Sequence, residues 1–286
     1  MYKIAILGCE NSHANTFLNF IIKDKIYTDI EVVGVYSDDM EAANKLNEDY
    51  GVYAAKSYDE FVGKVDGIVI TARHGDNHYK YAKPYIESGI PMFIDKPITI
   101  SEAEALELKE ELIKSGTKVC GGSVCRYPKA IQELKKNVQE KTYGEVYGGS
   151  LRAPVDMNND YGNFFFYAQH LAQAMCEIFG YYPNSVKAFV NGKVINCIVR
   201  YDDYDVNLVF VEGKYTYYAT INCAENVITS KYIVDDCFGQ EFETFYKLLK
   251  GEDQPESYED FIAPVFILNA IDRSIKSGNE EKVLKQ

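Results

Sequence analysis

The chain up to about residue 120 alternates short apolar runs with stretches of helical periodicity, and this alternation restricts the fold most. The apolar runs are too short for helices and are typical of strands buried on both faces. Strands that alternate with helices form βαβ units around a parallel sheet. The predicted strands are 3–7, 31–36, 67–70, 92–94 and 118–121, and the predicted helices are 13–23, 40–50, 57–62, 78–88 and 101–115.

The pattern changes after about residue 123. Predicted helices at 128–140 and 164–179 precede five β-rich segments that have no helix between them, which is typical of an antiparallel sheet. Those segments are 185–191, 195–201, 205–211, 215–222 and 226–234, and helices at 238–250 and 257–277 follow. We therefore predict an α/β protein with a Rossmann domain at residues 1–123 and an α+β domain at residues 124–286, whose last helix could pack back on the first domain.

Composition narrows the possible functions. The chain has 286 residues, of which 47% are hydrophobic, enough for two domains with their own cores. A net charge of −13 opposes binding to nucleic acid, which needs a basic face. No apolar stretch reaches the roughly 18 residues of a membrane helix. The seven cysteines lack C-x-x-C spacing, so we expect free thiols and no metal site. They follow no signal peptide, so we expect a cytoplasmic protein. The partner that we expect is a small-molecule substrate.

A turn at residues 8–13 follows the first predicted strand, where a dinucleotide fold binds the pyrophosphate. Gly8 is the first glycine of G-x-G-x-x-G, but Glu10 and His13 stand in place of the second and third. A carboxylate at this position would repel phosphate unless it turns away. Asn11, Ser12 and His13 could donate hydrogen bonds to the cofactor, or they could simply cap the helix.

The second predicted strand ends at Ser37 and Asp38, about where an acidic residue binds the adenosine ribose in dinucleotide folds. Ser37 could tolerate a 2′-phosphate, whereas Asp38 could bind the 2′-hydroxyl of NAD and repel that phosphate. We expect NAD or NADP as cofactor, with the pair favouring NAD. The alternative is that both are turn residues.

Residues 67–99 resemble the Gfo/Idh/MocA oxidoreductases, the glucose–fructose oxidoreductase and inositol dehydrogenase group. Members have a strand, an A-T-P-like turn, a histidine, a helix, a second strand and then E-K-P. The corresponding pieces here are Thr71-Ala72, His78 and Asp95-Lys96-Pro97. Further similar segments are 126–128, 144–146, 242–251 and 257–278.

The resemblance implies a Rossmann (doubly wound) domain followed by a domain with a large, open, mostly antiparallel sheet. It also implies hydride transfer between a nicotinamide cofactor and a polyol, sugar or related hydroxy compound, in a homodimer or homotetramer joined through that sheet. The cofactor-binding residues that it adds to those above are Thr71, Ala72, His78, Asp95, Lys96 and Arg126.

Lys96 is the first predicted catalytic residue. It follows a predicted buried strand and precedes Pro97, which keeps the preceding residues extended at the carboxyl end of the sheet, where such folds bind ligands. The resemblance implies that Lys96 contacts the nicotinamide ribose and the substrate hydroxyl. The alternative is an exposed loop lysine.

His170 and Tyr167 are the other predicted catalytic residues. Many members carry D-x-x-x-H on the first long helix of the second domain, and His170 matches the histidine, but Phe166 replaces the acid. Tyr167 could share the helix face of His170. The alternative for His170 is a hydrogen-bonded core histidine.

Three functions remain open on the sequence. The first is the NAD(P)-dependent oxidoreductase, which Lys96, Pro97 and His170 favour. The second is a non-catalytic or regulatory relative with a degenerate cofactor site that binds a small ligand, which Glu10, His13 and Phe166 favour. The third is a redox-neutral lyase or hydrolase that uses bound NAD.

Overall fold

A five-stranded parallel sheet forms the first of two units in the computed structural model, which describes residues 1–285. Its strand order is β2-β1-β3-β4-β5, so the chain reverses direction across the sheet between β1 and β3. The strands are β1 (Tyr2–Leu7), β2 (Ile30–Tyr36), β3 (Gly67–Ile70), β4 (Met92–Asp95) and β5 (Val119–Gly122). The predicted parallel sheet is confirmed, and such sheets bind ligands where the strand order reverses.

Four helices connect these strands within the described residues. They are α1 (Ser12–Leu18), which a π-helical turn at Asn19–Lys23 extends, α2 (Met40–Tyr50), α3 (Asp76–Ile86) and α4 (Glu102–Ser115). Side chains of Asn11, Asp39 and Ser101 cap three of them by accepting from backbone N–H groups of the first turn.

The helix predicted at 57–62 is wrong, because this segment forms turns. The Ser57 hydroxyl donates to Asp59, and the Glu60 carboxylate accepts from the backbone N–H of Lys56. Such local bonds offer the backbone an alternative to helix. Gly63, at φ +71°, then ends the segment in a left-handed conformation.

Residues 238–261 lie in the first unit, not in the second domain to which the sequence analysis assigns them. They include α7 (Phe238–Leu249), an amphipathic helix that packs on the sheet. The Phe242 ring lies 4.9 Å from the Phe17 ring, and Phe245 lies 6.5 Å from Phe93. The apolar face of α7 therefore completes the hydrophobic core of the first unit.

The second unit contains residues 123–237 and the described residues from 262 onward, with a seven-stranded sheet in the order β11-β10-β6-β9-β8-β7-β12. Only β6 and β9 pair in parallel within these residues, so the predicted mostly antiparallel sheet is confirmed. The strands are β6 (Val146–Val155), β7 (Ser185–Asn191), β8 (Val194–Arg200), β9 (Asp205–Glu212), β10 (Tyr217–Cys223), β11 (Val227–Tyr232) and β12 (Glu281–Lys282).

Helix α6 (Phe164–Phe179) packs against β6, and α5 (Lys129–Gln139) packs against α6. Helix α8 (Tyr258–Ser277) begins in the residues of the first unit and continues into those of the second. None of the helices within residues 1–285 is both long and apolar enough to cross a membrane. All seven cysteines are buried.

Replacing Phe242 with alanine tests the assignment of α7 to the first unit. Phe242 is fully buried, so Phe242→Ala should lower the free energy of unfolding by about 3–5 kcal/mol through lost burial and a cavity. Urea denaturation followed by circular dichroism measures the change. Phe189→Ala, at a ring that is 50% exposed on β7, should cost about 1 kcal/mol or less. Equal effects of the two variants would contradict the assignment.

Candidate functional site

Gly8 begins the turn after β1 and packs against the end of β3. Its φ is +74°, and a Cβ at this position would lie 2.3 Å from the backbone nitrogen and Cα of Ala72. The Thr71 hydroxyl donates to the Gly8 carbonyl over 3.0 Å. Gly8, Thr71 and Ala72 thus form one tightly packed junction, in which any side chain at position 8 would clash.

Glu10 crosses the ends of two neighbouring strands. Its Oε2 accepts from the Ser37 hydroxyl over 2.6 Å, and its Oε1 accepts from the backbone N–H of Arg73 over 2.9 Å. Ser37 follows β2 and is 1% exposed, whereas Arg73 lies beyond the end of β3. These contacts hold the carboxylate over the tips of β2 and β3. Ser12, at the start of α1, is exposed.

Asp38 is engaged by neighbours of its own. It accepts from the Tyr36 hydroxyl over 2.5 Å, and its carboxylate lies 3.4 Å from the Lys80 ammonium. Burial disfavours its charge, but hydrogen bonds from Tyr36 and Tyr81 and the charge of Lys80 outweigh burial and lower the pKa of Asp38. Asp38 therefore stays ionised, with much of its hydrogen-bonding capacity already used.

Asp95, the last residue of β4, is a fully buried carboxylate that ties the turn to the sheet. His13 Nδ1 lies 2.8 Å from its Oδ2, Asn11 donates to the same oxygen over 3.1 Å, and the backbone N–H of Lys96 donates to Oδ1 over 2.7 Å. The His13 ring also packs edge-on against Phe238, 4.9 Å away. Asn11 and His13, predicted to face the pyrophosphate, thus direct their side chains to Asp95.

The buried His13–Asp95 pair shifts both pKa values. Burial opposes the charge on each group, but their mutual attraction and hydrogen bonding outweigh it, so the pKa of His13 is raised and that of Asp95 is lowered. Glu241 raises the pKa of His13 further, whereas the Lys96 charge opposes that rise. The ionised pair is the arrangement that this environment favours.

His78 joins the end of β3 to the loop after β4. Its ring is fully buried, with Nε2 2.8 Å from the Ala72 carbonyl oxygen and Nδ1 2.6 Å from that of Pro97. Burial lowers the pKa of His78 despite the nearby charge of Asp95. We predict that this side chain binds cofactor, but both of its ring nitrogens contact backbone carbonyls. It therefore positions the backbone at Ala72 and at Pro97, the residue after Lys96.

Lys96 is 4% exposed, so it is not the exposed loop lysine of the alternative interpretation. It follows β4, and its peptide bond to Pro97 is cis. The contacts of Asp95 before it and of Pro97 after it fix its backbone from both sides. The residue therefore lies at the carboxyl end of a parallel strand, as the sequence analysis predicts.

The second unit brings His170 and Tyr167 together on α6, with their rings 5.2 Å apart. His170 Nδ1 lies 2.7 Å from the hydroxyl of Ser123, and His170 is 6% exposed. Burial and the neighbouring Tyr215 raise the pKa of Tyr167, so its phenol stays protonated. Phe166 turns to Tyr161, whose ring lies 5.1 Å from its own.

Arg126, predicted to bind cofactor, forms a buried ion pair within the second unit. Its guanidinium donates to the Glu177 carboxylate over 2.9 Å and to the Tyr181 hydroxyl over 3.1 Å, and Lys135 binds the second oxygen of Glu177 over 2.8 Å. These cations outweigh the effect of burial and lower the pKa of Glu177 to about 2. Much of the hydrogen-bonding capacity of Arg126 thus serves the fold.

Sequence reasoning missed Ser123 and Glu177 and gave Glu10 no partner. Ser123 directly follows β5, and the position after a parallel strand is where a ligand-facing or positioning side chain is expected. That signal could have identified it. Glu177 lies 51 residues from Arg126, and no local pattern indicates that the two side chains pair.

The parallel sheet, the glycine turn and the buried lysine at a strand end are typical of a Rossmann-type unit. The family model of the Gfo/Idh/MocA oxidoreductases, described as an oxidoreductase family with an NAD-binding Rossmann fold, matches residues 2–123. The predicted resemblance is confirmed for residues 2–123, which match the model of this family.

The chain is also similar to one curated relative, the uncharacterized oxidoreductase YhhX of Escherichia coli (strain K12). The two are 27% identical over 96 residues, which are 33% of this chain and 28% of the relative. The match thus spans less than a third of the relative's length.

Solved structures resemble the whole chain. A myo-inositol dehydrogenase from Corynebacterium glutamicum ATCC 13032 has a TM-score of 0.83 at 18% identity, with 100% of both chains covered. The WlbA dehydrogenase from Chromobacterium violaceum, solved with NADH and UDP-GlcNAcA, has a TM-score of 0.83 at 16% identity, covering 100% of this chain and 96% of that one. At these identities the likeness shows the fold.

The His13–Asp95 pair should make stability depend on pH. The raised pKa of His13 stabilises the fold fully below the unfolded value of about 6.5, and this contribution is lost as pH rises through the folded value. The lowered pKa of Asp95 stabilises above about pH 3.9, and this contribution is lost as pH falls further. His13→Ala should therefore cost about 3–5 kcal/mol near pH 6 and less near pH 9.

Urea unfolding of both proteins from pH 4 to pH 9 measures this difference. His74→Ala is the matched control, because His74 Nδ1 lies 3.7 Å from Asp76 at a partly exposed site, where an ion pair is worth little. If His13→Ala lowers the free energy of unfolding by the same amount at pH 6 and at pH 9, the His13–Asp95 pair is not the source of the lost stability.

Proposed function

We propose that the chain is an NAD-dependent oxidoreductase that acts on a hydroxyl group of a polyol, a sugar or a related compound. The observation that carries the proposal is Lys96, an amine held 4% exposed at the carboxyl end of β4 by the contacts of its two neighbours. A buried amine at the carboxyl end of a parallel strand is a candidate for a chemical task, because such folds bind their ligands there. The dehydrogenases of similar fold support the substrate class.

The residues of the first unit fit a dinucleotide. Gly8 lets the chain turn tightly over Ala72, and the carboxylate of Glu10 lies at the strand tips rather than being fixed at the start of α1. Glu10 Oε2 accepts only the Ser37 hydroxyl among the described contacts, so it keeps capacity for a ribose hydroxyl. A 2′-phosphate would meet the charges of Glu10 and Asp38. The cofactor proposed is therefore NAD, with Glu10 and Ser37 at its adenosine ribose.

When bound, the nicotinamide accepts the hydride that oxidation of a secondary alcohol releases. The hydroxyl proton must go to a base, and the Lys96 amine is assigned this role in the proposal. In the reverse direction the same nitrogen returns the proton. Asp95 and His78 hold the backbone around Lys96, so they are positioning residues. The roles of His170 and Tyr167 toward the substrate stay predictions from the resemblance, and so does the association of copies through the large sheet.

Titration with NAD, NADH, NADP and NADPH by calorimetry tests the cofactor. We expect NADH to bind at least tenfold more tightly than NADPH, because the 2′-phosphate would lie beside a carboxylate. Glu10→Gln should shrink this ratio to about threefold or less, since it removes the charge and keeps the shape. Glu48→Gln, at an exposed residue of α2, should leave the ratio unchanged.

Failure of all four dinucleotides to bind at millimolar concentration would sink the proposal and favour the non-catalytic relative. Tight binding of NAD without any net oxidation of substrate would favour the redox-neutral use of the cofactor instead.

Replacing Lys96 tests the chemical step. Lys96→Met should lower kcat with a sugar or inositol substrate at least about a hundredfold, because the base is lost. NAD affinity measured by calorimetry should stay within about threefold. Lys114→Met, at an exposed lysine of α4, should keep full activity. Turnover that survives in Lys96→Met would remove Lys96 from the proton transfer.

A further inference from the structure

Ser123 and His170 form a buried hydrogen bond that no prediction anticipated. Ser123 is fully buried directly after β5, and its Oγ lies 2.7 Å from His170 Nδ1 on α6. The same Oγ accepts from the backbone N–H of Cys125 over 3.1 Å, which caps the 3₁₀ turn Val124–Arg126. Both residues belong to the second unit.

The donor and the acceptor positions of the Ser123 hydroxyl can each be assigned to a partner. A serine hydroxyl offers one proton and two lone pairs, and the N–H of Cys125 occupies one lone pair. Within residues 1–285, Nδ1 of His170 is the acceptor that lies within hydrogen-bond distance of Ser123 Oγ. A buried hydroxyl proton without an acceptor is costly. The proton of Ser123 therefore points at Nδ1, and Nδ1 receives it as an acceptor.

This direction of the bond determines the state of the imidazole. A neutral histidine that accepts at Nδ1 carries its own proton on Nε2. If Nδ1 carried the proton, this N–H and the N–H of Cys125 would both donate to Ser123 Oγ. The hydroxyl proton of Ser123 would then have no acceptor.

We propose that Ser123 is a positioning residue that fixes His170 as the neutral tautomer with its proton on Nε2. In this state Nε2 can donate a hydrogen bond but has no lone pair for a proton, and Ser123 occupies the lone pair of Nδ1. In the proposed function His170 is therefore a hydrogen-bond donor and not the base. This inference rests on the proposed function for the role of His170, but the tautomer itself does not depend on it.

Nitrogen NMR of the imidazole rings in the holoenzyme tests the proposal. Long-range ¹H–¹⁵N correlation at pH 8 distinguishes a protonated ring nitrogen from an accepting one, and the chain has only four histidines, so His170→Gln identifies the signals of His170. We expect an accepting Nδ1 and a protonated Nε2 in the wild type. Ser123→Ala should convert His170 to a mixture of tautomers, and Ser123→Thr, which keeps the hydroxyl, should restore the wild-type pattern.

A protonated Nδ1 in the wild type would overturn the proposal, and so would an unchanged tautomer in folded Ser123→Ala. The wild-type spectrum decides the first point even if that variant does not fold. In the kinetic arm, kcat of Ser123→Ala should fall about tenfold and recover in Ser123→Thr, with NAD affinity unchanged. If the protein shows the expected tautomer but binds no dinucleotide, the role of Ser123 is upheld and the proposed function is contradicted. Failure of the inference and failure of the proposed function therefore give different results.

Discussion

The buried carboxylate of Asp95 is the interaction on which the first unit depends. It lies at the end of β4 and receives hydrogen bonds from the turn after β1 and from the backbone that leads into Lys96. A carboxylate without water must be matched by donors and opposite charge, and His13 supplies both. Meeting this requirement brings the turn, the strand end and the lysine into one fixed arrangement.

This arrangement explains why the turn departs from the glycine pattern of dinucleotide folds. Asn11 and His13 are the donors that Asp95 requires, so a glycine at position 13 would leave the acid without its partner. Glu10 is likewise matched, by Ser37 and the backbone of Arg73. Residues that look degenerate against the pattern are thus complementary to one another, so the departure from the pattern follows from the packing of this turn.

The sequence predicted the architecture well because the signal for each element is local. Helix α2 begins after its N-cap Asp39 and ends before Gly51, and helix α6 ends before Gly180. The bounds of α2, α6 and the apolar run of β3 are those that the sequence predicts. The failure at 57–62 is also local, because serine, aspartate and glutamate side chains there compete with helical hydrogen bonds. Helix α7 belongs to the first unit because its aromatic face packs into the core of that unit. No local signal in the sequence indicates this packing.

The site was less predictable, since its contacts join residues that are far apart in the chain. Lys96 lies where the strand and Pro97 indicate, and Tyr167 shares a face with His170 through helical spacing. By contrast, the resemblance predicts Arg126 as a cofactor ligand, and no local signal indicates that Glu177, 51 residues away, balances its charge. Partners such as this, and the Ser123 that bonds His170, become visible only when tertiary packing is known.

The junction at Gly8 changes how a lone glycine in such a turn should be interpreted. Its missing side chain leaves room for Ala72 of the same chain, and its left-handed backbone excludes other residues whether or not a dinucleotide is present. Drift at the cofactor site would therefore spare Gly8 for as long as the fold survives. In relatives of this chain, the presence of the first glycine indicates an intact Rossmann turn. Evidence that such a turn still binds cofactor has to come from residues that the fold itself does not need.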